Sequence, residues 1–214
     1  MKRTWLLAAL AIGGAAPASA QFFGMPVWNS PSGGSGLTIS GDYGKPNSGS
    51  GGGSAFGGRA TLGLGMLSVT AGADSYKPSG GSSTTSFGGD VAFGVIGGPL
   101  VPVKVNIQGG AAHASVSGTG ITEVTGAVGI GVTLPMPGVS IEPYISPGIR
   151  YNKVGAVGPL GGSSSTNFGF AIGANVGFGM LGIHIAYDHS KMSGVTQSIF
   201  GIGAHLALKV PMGM

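Results

Sequence analysis

Residues 121–134, ITEVTGAVGIGVTL, and 139–153, VSIEPYISPGIRYNK, decide the fold. In the first, Val124, Val128, Ile130, Val132 and Leu134 share one phase, against Glu123, Thr125, Gly129, Gly131 and Thr133 on the other. In the second, Val139, Ile141, Ile145, Ile149 and Tyr151 oppose Ser140, Glu142, Tyr144, Ser146, Arg150 and Asn152. A period of two is that of an extended strand, whose successive side chains point to opposite faces. The link between them, Pro135–Gly138, is a tight Pro/Gly turn. The pair therefore reads as an antiparallel hairpin with one apolar and one polar face.

Outward from this hairpin the same alternation predicts ten strands, at 37–45, 56–64, 66–76, 87–96, 101–113, 121–134, 139–153, 166–178, 181–190 and 198–210. Eight strands remain the alternative, should 37–45 and 181–190 be wrongly divided. The links alternate in kind. Gly63–Met66, Ile96–Pro102, Pro135–Gly138 and Gly177–Gly182 are short, whereas Pro46–Ala55, Lys77–Ser86, Lys153–Ser165 and Lys191–Gln197 are longer and rich in Gly and Ser. Ser117–Gly120 is the shortest of the second set. Short turns at one end and longer loops at the other fit a membrane barrel whose long loops lie outside the cell.

The charges obey the strand phase. Asp42, Arg59, Asp74, Asp90, Lys104, Glu123, Glu142, Arg150, Asp188 and Lys209 all fall on the polar phase. Lys45, Lys77, Lys153 and Lys191 fall where a strand meets a longer loop. A basic residue facing mid-bilayer costs about 2–4 kcal/mol, so lipid on the apolar side accounts for this segregation. Tyr43, Phe56, Phe87, Tyr151, Phe168, Tyr187 and Phe200 stand at one level near the long loops, as an interfacial girdle requires. Tyr76 breaks phase and is expected to point inward. The girdle at the short-turn end is thin, with Phe178, Phe93 and Trp28 as its candidates.

Alternation alone leaves open which face is inside. A soluble up-and-down barrel would put the apolar face at the centre. Composition argues against it: 7% of the 214 residues are charged and mean hydropathy is +0.39, where a soluble surface carries about 25–35% charged positions. A Gly-rich fibre would lack sustained two-faced alternation. No apolar run beyond the N-terminus reaches the ~18 residues of a membrane helix, and a closed barrel is the other structure that satisfies its backbone in lipid.

Residues 1–20 read as a signal peptide: Lys2 and Arg3, an apolar run from Trp5 to Ile12, and the small-x-small site Ala18-Ser19-Ala20. Residues 21–36, QFFGMPVWNSPSGGSG, have no period and are expected to form an irregular periplasmic lead-in, or else a plug. Residues 37–214 are then one all-β domain, a transmembrane antiparallel up-and-down barrel. Loss of Lys2 and Arg3 leaves eight basic and six acidic residues, net +2. With no basic run and no stacking platform, no nucleic-acid partner is expected. With no Cys, there is neither a disulfide framework nor a thiol nucleophile.

Over residues 37–214 the paired strands, turn asymmetry and girdle resemble the small Gram-negative outer-membrane barrels, the superfamily of OmpA-like and OmpX-like domains. The resemblance implies residence in the outer membrane among lipid and lipopolysaccharide, and insertion by the barrel-assembly machinery. Members usually end on an aromatic residue, where this chain has Met214 after Pro211 and Gly213.

For function, the inward acids and bases are expected to pair across a filled lumen, giving a structural or surface-interacting barrel that is not an enzyme. A lining rich in small side chains, slightly acidic, leaves a narrow porin for small solutes or cations as the alternative. Phosphates of lipopolysaccharide lie at the depth of Lys45, Lys77, Lys153 and Lys191, which could bind them. Two catalytic arrangements find a partial resemblance. His184 and Asp188 share an inward face, similar to part of an omptin protease site, but no Asp-x-Asp pair accompanies them. His113-Ala114-Ser115 with Glu123 resembles the His-x-Ser and Glu set of lipid A deacylases. Neither leads us to assign catalytic residues. His184 and His205 face inward without an evident third ligand, so no metal or other cofactor is expected. Oligomeric state is not legible.

Overall fold

A computed structural model describes residues 22–28, 30–31, 35–98, 101–156, 161–192 and 194–208. The expected signal peptide at 1–20 and Lys209, expected in the lumen, lie outside them. The strand segments are β1 (Ser35–Pro46), β2 (Ser54–Leu64), β3 (Leu67–Lys77), β4 (Thr84–Gly98), β5 (Val101–Val116), β6 (Thr119–Val132), β7 (Leu134–Met136), β8 (Val139–Val154), β9 (Ser163–Phe178), β10 (Leu181–Met192) and β11 (Val195–Leu208). β7 continues β6 after Thr133 and pairs with the same neighbour, β8, so the eleven segments make ten staves. Each stave pairs antiparallel with the next, and β1 pairs with β11 to close the barrel.

The barrel is apolar outside and polar inside. Leu62, Ile107, Ile145, Ile172 and Ile202 are exposed on its outer surface, while Asp42, Glu123, Glu142, Arg150 and Asp188 are buried. A continuous apolar belt of this kind is incompatible with water and matches the hydrocarbon of a bilayer. Closure leaves no unpaired strand edge, which lipid could not satisfy.

Most strands extend a few residues past their predicted ends, which shortens the loops. The clearest difference is at Lys191–Gln197. Met192 pairs with Val195 and Lys191 with Thr196, so this link is a tight hairpin and not a long loop. Gly194 supplies the positive φ of 84° that such a turn needs. β5 and β6 are likewise zipped as far as Val116↔Thr119. The longer links of that end are therefore 47–53, 78–83 and the one between Val154 and Ser163. The first holds a short 3-10 turn, Ser48–Ser50, capped by the Asn47 side chain accepting from the Ser50 N–H.

Candidate functional site

The lumen wall is built on a simple device: a glycine on one strand lets long polar side chains from its two neighbours meet across it. Gly203 on β11 separates Asp42 on β1 from His184 on β10, whose Nε2 lies 2.6 Å from Asp42 Oδ1. The same carboxylate accepts from Arg59 Nε at 2.8 Å, and His184 Nδ1 lies 3.1 Å from His205 Nδ1. Arg150 on β8 reaches past β9 to Asp188 on β10, Nη2 to Oδ2 at 2.8 Å. Lys104 Nζ approaches Glu142 Oε2 at 3.9 Å. Asp74 accepts from the Ser86 hydroxyl on the next strand. Glu123 is buried on β6, and Asp90 is half-buried on β4. Of the ten charges expected in the lumen, the structure thus brings Asp42 to Arg59, Arg150 to Asp188 and Lys104 to Glu142, and it places Asp74, Asp90 and Glu123 on the same inner face.

The N-terminal segment lies inside the barrel. Phe22, Phe23, Met25 and Val27 are 3% exposed or less. Phe22–Met25 forms a turn closed by the Met25 N–H to the Phe22 carbonyl, with Gly24 at φ +70°. This turn packs beneath the long-loop end, where Phe22, Phe23 and Met25 cluster with Ala55, Tyr76, Ala112, Ala114, Ile121 and Val154. The alanines of the wall make room for the phenyl rings. The Phe23 N–H donates to Ser86 Oγ at 3.3 Å, and the Val27 N–H to the Asp188 carboxylate. Farther down, Trp28 stands edge-on to His184, centroids 4.6 Å apart, with the Arg59 guanidinium 5.2 Å from its ring. Ser30 Oγ donates to Glu142 at 2.5 Å. The described residues therefore run down the lumen from Phe22–Met25, beneath the long-loop end, to Trp28 and Ser30. Residues 22–28 are not a lead-in beneath the barrel, and Trp28 belongs to no girdle.

Below Trp28 the lumen holds a cavity of about 360 Å³ that reaches the short-turn end. Its lining is hydroxyl-rich, with Arg59, Asp90, Lys104 and Glu142 as its charged groups and His184 and His205 as its imidazoles. Above Trp28 the described segment occupies the lumen, with Phe22, Phe23, Met25 and Val27 buried.

Neither catalytic arrangement assembles. His113 and Ser115 face outward on β5, with His113 Nδ1 3.0 Å from Thr122 Oγ1, while Glu123 points into the lumen. Successive residues of a strand point oppositely, and Glu123 pairs in register with Ala112, not His113. His184 engages Asp42, and Asp188 engages Arg150. Among the described residues no three His, Asp or Glu side chains converge as metal ligands.

At the long-loop end Lys45, Lys77, Lys153 and Lys191 all project outward and are exposed. Phe56, Phe87, Tyr151, Phe168, Tyr187 and Phe200 are exposed at the level just below, and Tyr43 packs against Phe56 at 4.8 Å. Tyr76 is buried inside, its hydroxyl 2.9 and 3.0 Å from the Ser50 and Gly52 carbonyls, and so fixes the first long loop. Sequence reasoning put Trp28 in the short-turn girdle, where the structure has it inside the lumen, and it did not reach the plug contacts. The signal for them was the composition of FFGMPVW, too apolar for a segment bathed in water.

No protein-family model matches the chain, and no curated protein matches it. Solved structures do. The β domain of the Bordetella autotransporter BrkA is similar over 80% of this chain and 98% of that one, with TM-score 0.53 and 11% identity. The N-terminal β-barrel domain of Pseudomonas aeruginosa OprF covers 83% and 100%, with TM-score 0.43 and 12% identity. Neisserial surface protein A covers 83% and 100%, with TM-score 0.41 and 12% identity. With a closed ten-stave antiparallel barrel, apolar without and polar within, the chain has the fold of the small outer-membrane β-barrels.

Proposed function

We propose that the chain is a non-enzymatic structural barrel of the bacterial outer membrane whose lumen is occluded at rest by its own N-terminal segment. The observation that carries this reading is the burial of Phe22, Phe23, Met25 and Val27 within the barrel. Burying such side chains contributes about 1.5–3 kcal/mol each, enough to hold the segment in place. The reading as a constitutively open porin loses ground for the same reason: the cavity from the short-turn end stops at Trp28. The separation of His113 and Ser115 from Glu123 supports a role without catalysis. Export by residues 1–20 and insertion by the barrel-assembly machinery belong to the same proposal. So does contact between the four rim lysines and lipopolysaccharide phosphate.

The experiment is conductance. The exported chain, recovered from outer-membrane fractions and inserted into planar bilayers, is expected to give no steady current. A steady open level in the unmodified chain would overturn the occluded reading.

A further inference from the structure

We infer that the N-terminal segment is a removable stopper and that the lumen it closes is a cation-preferring pathway. This rests on the occluded barrel proposed above.

The segment sits in two different surroundings. Its upper turn is held by an apolar collar of Ala55, Tyr76, Ala112, Ala114, Ile121 and Val154. Directly below the collar the wall is polar and buried: Thr125, Arg150, Asn152, Asp188 and Ser190. Among the described residues, Arg150 Nε and Nη1, both amide atoms of Asn152, Thr125 Oγ1 and Ser190 Oγ find no hydrogen-bond partner. A lumen filled for good would match these groups or replace them with apolar ones, because buried polar groups left unmatched are costly. A wall built for water carries such groups freely. The described part of the segment adds no strand to the barrel, and β1 pairs with β2 and β11 without it. Its withdrawal therefore breaks no strand pairing. It would join the cavity below Trp28 to the long-loop end.

The charge of the wall sets the preference. Among the described residues six acids face the lumen, Asp42, Asp74, Asp90, Glu123, Glu142 and Asp188, against the three bases Arg59, Lys104 and Arg150. Acidic linings favour cations in narrow water-filled paths.

The test uses the full chain. Phe23→Asp with Met25→Asp puts carboxylates into the apolar collar and drives the turn out of it. In planar bilayers under a KCl gradient this variant is expected to conduct at least about tenfold more than the unmodified chain, with a reversal potential of potassium-preferring sign. A variant that folds, judged by heat-modifiable migration, and stays silent overturns the inference, as does one that prefers chloride. Should the variant not fold, a cysteine pair decides, in a chain that has no other cysteine. In Phe23→Cys with Ser86→Cys, brief voltage-driven openings of the reduced protein are expected to vanish on oxidation and return with reductant. Openings indifferent to oxidation, or absent from the reduced protein, overturn the stopper. A silent unmodified chain with a silent variant sinks this inference alone, whereas steady current through the unmodified chain sinks the occluded reading first.

Discussion

His184 and Asp42 meet at 2.6 Å across an intervening strand, because the β11 residue between them is Gly203. A β-carbon at Gly203 would press on both Asp42 Oδ1 and His184 Nε2. Gly203→Ala is therefore expected to lower stability by about 1–3 kcal/mol, the usual cost of overpacking. Gly41→Ala is the control, since a β-carbon there meets nothing within 4 Å. Urea unfolding followed by heat-modifiable migration compares the two. Equal midpoints would show that the strand-crossing contact contributes nothing.

Arg150 and Asp188 make a second crossing, with side chains 1% and 3% exposed. Either Arg150→Met or Asp188→Leu strands the other charge in the lumen, at a cost of about 3–5 kcal/mol. The double variant is expected to recover most of that loss, because no charge is left unpaired by it. Additive losses in the double-mutant cycle would mean that the two residues act separately.

On the outer surface Ile145 and Ile172 pair in register near the middle of β8 and β9. Ile145→Arg is expected to cost about 2–4 kcal/mol in lipid, while Val195→Arg at the rim should cost about 0–1 kcal/mol. Matched unfolding in vesicles measures the difference. A mid-barrel arginine as harmless as the rim one would place water, not lipid, against this face.

These outcomes track what could be read from the sequence. The phase of 121–134 and 139–153 was legible because lipid outside and polar groups inside impose one rule on every residue of a strand. Tyr76 was legible as an exception, as it breaks that rule and points inward. The partners of the lumen charges were not. Whether Asp42 reaches His184 depends on the stagger of β1, β11 and β10 and on a glycine between them, none of which shows as periodicity. For residues 22–28 the sequence leaves lead-in and plug both open for a related reason: their surroundings are made by the closed barrel, not by neighbours in the chain. The hairpin at Met192↔Val195 is not legible because its Gly and Ser match loop composition, although Gly194 alone suffices for the turn.

Lys45, Lys77, Lys153 and Lys191 project outward at the long-loop rim, above the exposed rings of Phe56, Phe87, Phe168 and Phe200. If they contact lipopolysaccharide phosphate, replacing all four by Gln should cut the lipopolysaccharide retained after detergent purification at least several-fold, with no change in folding. The loss should be strongest at low salt, since exposed charges are screened within about 8 Å at physiological ionic strength. Retention unchanged by the fourfold replacement removes lipopolysaccharide from the proposed partners.

Trp28 reports directly on the segment in the lumen. The chain has two tryptophans, Trp5 and Trp28, and Trp5 lies in the stretch expected to be removed on export. Emission of the exported protein then comes from Trp28 alone. Trp28 is 5% exposed, with His184 at its edge and the Arg59 guanidinium near its ring. Its emission should be blue-shifted, with an acrylamide quenching constant several-fold below that of the urea-unfolded chain. Arg59→Ala should raise that constant part of the way, because Arg59 and Trp28 both border the cavity at the short-turn end. If quenching in the folded protein equals that of the unfolded chain, Trp28 lies in water, and the segment is not in the barrel.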